Sequence, residues 1–351
     1  MVISPSSSNG RGTVGLSESE MSRWRRDPRW WFIEYYLGYL PARPSPSGAR
    51  NLGTRIHTAL EAYYGYQLDP VLVLSVLYGL AIEQSPDYEK QLRADHELSK
   101  IMIEGYLEWV ASEGKDASLT LIDTEAEVRV PLPGFEGYVD LRAKLDQVVQ
   151  DTTTGWMYFL DHKSAGDFER HEMIELDPQM KLYNLIGWLA TQGTVPLLGQ
   201  PLELRADRPV VLGGIVNTLR KVKRTKTSKP PYYDRHGFRY TTDQLASHLL
   251  SVQQVAGEIM NARSVLDAAY AAGGVPEQIN YIQTSMLRPV PILGDCAWRC
   301  HLSNGLCQMM SDGSTAWMDA LVSGGGYVQG DPYERYGRGD LAEVRQQLAT
   351  R

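Results

Sequence analysis

Asp161 and Lys163 stand two residues apart at the end of an apolar run, Met157, Tyr158, Phe159 and Leu160. Such a run reads as a strand. An acid and a lysine at its end are costly to bury unless something between them needs both charges. Side chains alternate along a strand, so Asp161 and Lys163 share a face and His162 points away. If residues 137–150 and 156–163 pair across the turn-like segment 151–155, positions whose numbers sum to about 306 face each other. Asp146 then falls almost opposite Asp161. Two carboxylates held together repel unless a cation lies between them. Oxygen ligands of this kind suit Mg2+ or Mn2+, and a lysine beside such an ion stabilises charge developing on an attacked phosphate. The chemistry within reach is metal-assisted hydrolysis of a phosphodiester. The bland alternative is a surface hairpin with ordinary charges.

The elements that must position these groups are legible in outline. Residues 16–39 read as helical around Pro28, with Trp24, Trp30, Trp31, Tyr35 and Tyr36 close together. Residues 51–67 form a second helix, and apolar spacings of three and four predict further helices over 68–115. From 119 the pattern alternates and is β-branched, which predicts a strand; 137–150 and 156–163 are two more. Residues 177–193 read as a helix with Pro178 near its start and Gly193 past its end. A fourth strand follows at 209–221, and a long helix over 241–273. The end of the chain, from 311, is Gly-rich and loosely patterned, and no internal repeat is evident.

An Asp some fifteen residues before a strand-ending acid-x-Lys resembles the signature of the PD-(D/E)XK nuclease superfamily. Asp146 matches its first acid, Asp161 its second and Lys163 its lysine; no proline precedes Asp146. "GTRIHTALE" (53–61) is similar to the helix of the RecB-like exonuclease branch, in which the histidine is a metal ligand, here His57. "QMKLY" matches that branch's Q-x-x-x-Y motif at Gln179 and Tyr183, four apart on one helix face, where they would touch DNA and brace the catalytic residues. The resemblance implies that His57, Asp146 and Asp161, with the backbone carbonyl of His162, hold one or two Mg2+ or Mn2+ ions. It implies an α/β fold: a restriction-endonuclease-like core of helix, three-stranded meander, helix and strand, with an N-terminal helical insertion and a C-terminal helical extension. The chain then divides into a disordered lead-in (1–15), a helical part carrying His57 (16–118), the nuclease core (119–221), a stretch with the basic segment, long helix and cysteines (222–310), and a tail (311–351). "GDPYERYGR" near the end adds a likeness to bacteriophage nucleases of this branch.

Cys296, Cys300 and Cys307 are spaced by three and six residues. Clustered thiols outside a disulfide framework favour a metal. The triplet resembles the C-terminal ligands of the [4Fe–4S] cluster in many RecB-like exonucleases. Their distant cysteine precedes a proline, and this chain has Asp27-Pro28 there. Asp27 as fourth ligand, His301 with Zn2+, or three ordinary buried thiols are the open readings.

The net charge of −7 argues at first against nucleic acid, but residues 220–239 hold eight Lys or Arg and one Asp. Lys221, Lys223, Arg224, Lys226 and Lys229 would neutralise phosphates, with Tyr232, Tyr233 and Phe238 available to stack on bases; a solvated loop is the alternative. The tryptophans of the first helix allow the same two readings, DNA contact or core. The absence of a long apolar run predicts no membrane span, and three cysteines, with no apolar leader, point to the cytoplasm, of a bacterial host if the chain is phage-encoded. DNA with free or single-stranded ends is the expected substrate, recombination proteins are possible partners, and recombination, repair or genome processing is the expected role. The rival functions are a structure-specific or restriction-type endonuclease and a non-catalytic DNA-binding protein on a relic nuclease fold.

Overall fold

The computed structural model describes residues 13–42, 45–195, 210–272, 296, 300–303, 305–311, 315–333 and 339–349. Two compact units share the chain. One comprises residues 1–44, 131–141 and 250–335; the other comprises 45–130, 142–249 and 336–351.

The second unit carries the sheet on which the acids lie. Its strands are β3 (Leu119–Pro131), β4 (Val139–Asp151, from Arg142), β5 (Met157–Ala165), β6 (Val211–Arg220) and β7 (Tyr233–Arg239). β3 pairs with β4, and β4 runs antiparallel to β5 from Gln150–Met157 to Gln147–Leu160. β6 lies parallel to β5 over its whole length, and β7 returns antiparallel to β6. A parallel pair needs a crossover, and helix α7 (Pro178–Gln192) lies on that connection. Asp177 caps α7 by accepting from the Gln179 N–H at 2.8 Å, Pro178 opens it and Gly193 closes it in the left-handed region. The short helix α6 (His171–Leu176) leads into it.

Helices cover both faces of this sheet. On one, the Tyr183 ring of α7 meets Phe159 edge-on at 5.6 Å. On the other lie α3 (Ala49–Tyr66), α4 (Pro70–Gln84) and α5 (Glu89–Glu113). Their buried Ile56, Leu60, Leu77, Met102 and Tyr106 form one cluster with Leu219 of β6 and Tyr233 of β7. Burial of that apolar area, at about 25 cal/mol per Å2, is what holds the helical layer to the sheet.

In the first unit, β1 (Val14–Leu16) pairs parallel with the first residues of β4, so regular structure begins inside the stretch read as lead-in; residues 1–12 lie outside the described residues. Pro28 ends one helix and starts the next: α1 (Glu18–Arg26) stops before it and α2 (Pro28–Trp31) follows, continued by a wider turn over Phe32–Tyr36. Trp30 and Trp31 are buried, and Trp24 donates to Glu258 of helix α8 (Thr242–Ala271) at 2.9 Å, so these tryptophans serve the core. Buried Glu20 accepts from Trp31 Nε1 and from Arg263 Nη2, both at 2.9 Å. The loosely patterned tail contains regular structure too: helix α9 (Leu306–Ser311) before it, then α10 (Ala316–Ser323) and a strand β8 (Tyr327–Gln329) paired antiparallel with β2 (Tyr39–Pro41); α11 (Gly339–Ala349) belongs to the second unit, where Leu341 and Val344 join the buried cluster of α3, α4 and α5. Part of "GDPYERYGR" lies outside the described residues.

β7 is the element the sequence does not announce. Its residues, Tyr-Asp-Arg-His-Gly-Phe-Arg, look like the polar end of a basic loop. It is a strand because Tyr233 and Phe238 reach the buried layers on either face while β6 supplies the ladder.

Candidate active site

Pairing between β4 and β5 stops at Gln147 opposite Leu160, although both strands run on. Next in line are Asp146 and Asp161, one residue from the expected register. The backbone N–H of His162 takes a side chain as acceptor, donating to Asp146 Oδ2 at 2.8 Å. The same oxygen lies 3.1 Å from His57 Nδ1 on α3. Gly53, one turn before His57, makes this approach possible. A Cβ there would stand 3.0 Å from Ser164 Oγ of β5.

Lys163 completes the set on Asp161's face of the strand. Its ammonium lies 3.3 Å from Asp161 Oδ2 and 3.8 Å from Asp177 Oδ2, and donates to Gln179 Oε1 at 3.2 Å. Gln179 Nε2 in turn donates to Tyr183 OH at 2.6 Å. Direct contacts thus join His57 to Asp146 and, as a second set, Asp161 to Lys163, Gln179 and Tyr183; the two sets meet through the charge of Asp146 on Asp161.

One member was not anticipated. Ligand atoms of His57, Glu125 and Asp146 lie within 4.8 Å of one another, the single such group among the described residues. Glu125 sits in β3 with φ +50, a left-handed conformation costing about 1 kcal/mol or more for a residue with a Cβ. The irregularity buries Glu125 and Ala126 in succession and breaks the strand's alternation. Sequence offers no mark for it, since Asp123, Glu125 and Glu127 are three acids at equivalent alternate positions. Lys144 Nζ, on β4, is ion-paired with Glu125.

The charges fit a cation. Asp161 Oδ2 is buried with the Lys163 ammonium 3.3 Å away and no hydrogen bond of good geometry, so a carboxylate lone pair is left that a divalent ion would satisfy. Burial raises the Asp161 pKa to about 6; Lys163 opposes the rise and Asp146 adds to it. Burial disfavours charge on Asp146 also, yet His57 and the His162 N–H hold its carboxyl below the usual range. His57 resists burial as a cation: Asp146, with Asp161 and Glu125, raises it to about 9. Burial and Asp146 push Glu125 up. Burial works against the Lys163 ammonium, but Asp161 and Asp177 raise its pKa, so it stays charged. His57, Glu125 and Asp146 are thus a group of donors that could hold a metal ion.

The model of the PD-(D/E)XK nuclease superfamily matches residues 15–265, most of the chain. The chain belongs to the PD-(D/E)XK nuclease superfamily. Its general activity is metal-dependent cleavage of nucleic acid, with DNA as the substrate the superfamily implies. No curated protein matches it. The α/β core with helical extensions is that of this nuclease superfamily. No helix among the described residues is long and apolar enough to cross a membrane.

The nuclease's cysteines lie elsewhere, in the first unit, with Cys300 buried and Cys296 and Cys307 half-buried. Asp27 Oδ1 caps α2, accepting from the N–H groups of Arg29 at 3.0 Å and Trp30 at 3.2 Å, and burial raises its pKa. Buried Arg29 donates through Nη1 to the Cys307 carbonyl at 3.2 Å and lies 3.9 Å from its Sγ. Trp30 Nε1 donates to His301 Nε2 at 3.2 Å.

The basic segment lies in the second unit, leaving β6 and entering β7. Lys223 pairs with Glu97 at 3.2 Å and Arg224 with Glu108 at 3.6 Å, both acids on α5. Arg224 also donates to Tyr233 OH at 3.0 Å. Lys221 is half-buried and its pKa lowered by that burial; Lys226 and Lys229 are exposed. Exposed ion pairs like these are worth about 0–1 kcal/mol, so phosphates can replace their acids.

Proposed function

We propose that the chain is a Mg2+- or Mn2+-dependent deoxyribonuclease of the RecB-like exonuclease branch. It acts on DNA ends or single strands, in bacteriophage recombination, repair or genome processing within the cytoplasm of a bacterial host, alongside recombination proteins. The observation that carries this reading is the 3.1 Å contact between His57, from a helix, and Asp146, from a strand. A histidine delivered in this way to the paired acids is the feature that sets the branch apart.

Asp146, Asp161, His57 and Glu125, with the His162 carbonyl, would hold the ion or ions. A divalent ion there supplies Lewis acidity at the phosphate and makes water a nucleophile near neutral pH. Lys163, kept charged by Asp161 and Asp177, stabilises negative charge as it builds on the phosphate oxygens. Gln179 holds the Lys163 ammonium and is itself held by Tyr183, so α7 fixes where that charge sits. Lys221, Lys223, Arg224, Lys226 and Lys229 are the proposed backbone contacts to DNA.

Cys296, Cys300 and Cys307, with Asp27 as fourth donor, are the proposed ligands of a [4Fe–4S] cluster that ties the segment bearing them to α2. Arg29 Nη1 stands 3.9 Å from the Cys307 Sγ. Asp27 would offer it the oxygen that does not cap α2. Among the described residues, no three of Asp27, His301 and these cysteines offer ligand atoms within 4.8 Å of one another. Anaerobically purified protein with broad absorbance near ~400 nm supports the cluster; colourless protein containing zinc supports the alternative.

The deciding experiment compares linear and closed circular single-stranded DNA with Mg2+ and with chelator. Degradation of the linear form alone, abolished by chelator, supports the exonuclease. Cleavage of circles supports a structure-specific endonuclease, and binding without cleavage of either supports a relic fold.

A further inference from the structure

The middle residue of Asp161-His162-Lys163 turns its side chain to the other face of β5 and is 2% exposed. Two amide groups and two aromatic rings surround its imidazole, whose neutral form accepts at one ring nitrogen and donates at the other. Gln147 Nε2, on β4, lies 3.1 Å from His162 Nε2. Asn217 Nδ2, on β6 directly opposite in the ladder, lies 3.5 Å from Nδ1. The Tyr64 ring of α3 is near-parallel to the imidazole at 6.0 Å, and the Tyr106 ring of α5 meets it edge-on at 5.8 Å.

These contacts are themselves braced. Arg235 Nε donates to Asn217 Oδ1 at 2.6 Å. A guanidinium has only donors, so it fixes which way the Asn217 amide faces. Asn217 Nδ2 also donates to Tyr106 OH at 2.9 Å. Arg235 pairs with Asp116 at 2.8 Å, and Asp116 accepts from Tyr64 OH at 2.8 Å. Tyr64 and Tyr106 hydroxyls lie 3.0 Å apart. The network therefore closes on itself, running from α3 through Asp116, β7 and β6 back to the imidazole.

Tyr64 follows His57 by seven residues, two turns along α3, so both lie on one face of that helix. Tyr64 rests on the His162 ring, and His57 touches the acid to which the His162 N–H donates. We infer that His162 is a positioning residue: its clamped ring is the spacer between α3 and β5 that holds His57 against Asp146. Its backbone orients the acid, and its side chain gauges the helix. The inference rests on reading His57 and Asp146 as metal ligands.

The test uses full-length protein and two readouts: Mn2+ affinity by calorimetry without DNA, and kcat and KM on a single-stranded oligonucleotide. His162→Ala and Tyr64→Leu are expected to weaken Mn2+ binding by about tenfold or more, the usual effect of losing support behind a ligand. They should lower kcat at fixed Mg2+ with KM for DNA unchanged. Tyr64→Phe, which keeps the ring, should bind Mn2+ nearly as the parent protein does. If His162→Ala does not fold, Tyr64→Leu carries the test. Variants that bind Mn2+ as tightly as the parent, whatever their melting temperatures, overturn the positioning role. A parent protein that binds no Mn2+ overturns the nuclease reading itself, and with it the ligands that His162 would position.

Discussion

The His162 N–H donates to Asp146 Oδ2 at 2.8 Å, where the β4–β5 ladder has just ended. A backbone donor that would otherwise continue the sheet instead fixes a carboxylate. The ladder register ends where Asp146 and Asp161 stand next in line, two acids that repel unless a cation lies between them.

Lys163→Ala should reduce cleavage by about a hundredfold or more, the scale of removing one preorganised donor to a charged transition state. DNA binding should persist, because the phosphate contacts lie on other residues. Single-turnover kinetics and fluorescence anisotropy on one oligonucleotide separate the two effects. Unchanged cleavage would remove Lys163 from the chemistry.

Glu125→Gln keeps the shape of the side chain and removes its charge. Ion binding should weaken by about tenfold or more, read from the Mn2+ dependence of electron paramagnetic resonance. Folding should be little harmed, because burial and Asp146 already raise the Glu125 pKa and disfavour its charge. Unaltered Mn2+ affinity would show that Glu125 serves only Lys144.

Ion binding should depend on pH with a definite sign. Asp146 and its neighbours raise His57 to about 9 against the effect of burial, so the ion-free histidine is protonated near neutrality. A ligand must be the neutral imidazole, so binding expels that proton below about pH 9. Apparent affinity should climb by about tenfold per pH unit for one proton and level off above the His57 value. Asp161, raised to about 6, adds a second release only below that pH. Calorimetry in buffers of different ionisation heat counts the protons directly; a pH-independent affinity from 6 to 9 would contradict the assignment of His57.

Gly53→Val should destabilise the protein by about 1–3 kcal/mol through overpacking, because its Cβ would press on Ser164 Oγ. It should also weaken metal binding by moving His57. Gly79→Ala on α4, where a Cβ meets nothing within 4 Å, should instead stabilise by about 0.5–1 kcal/mol. Thermal unfolding of the two variants distinguishes a close approach from simple helix propensity.

The placement of Asp146 and Asp161 next in line on paired strands, with Lys163 beside Asp161, was legible from the sequence alone, because strand alternation and turn length are local rules. Helices α3 and α7 were legible for the same reason, through apolar spacing, Pro178 and Gly193. That His57 meets Asp146 is a long-range fact: the motif suggested it by likeness, and only the packing of α3 on β5 at Gly53 brings the atoms to 3.1 Å. Glu125 could not be found at all, since its role depends on one irregular backbone angle inside a strand. β7 escaped notice because its polar residues pair with partners remote in sequence, Arg235 with Asn217 and Asp116. The buried network around His162 belongs to the same class. Residue type and near-neighbour spacing declare which groups can react; which charges share a volume is decided by segments far apart in the chain, and no local pattern encodes that distance.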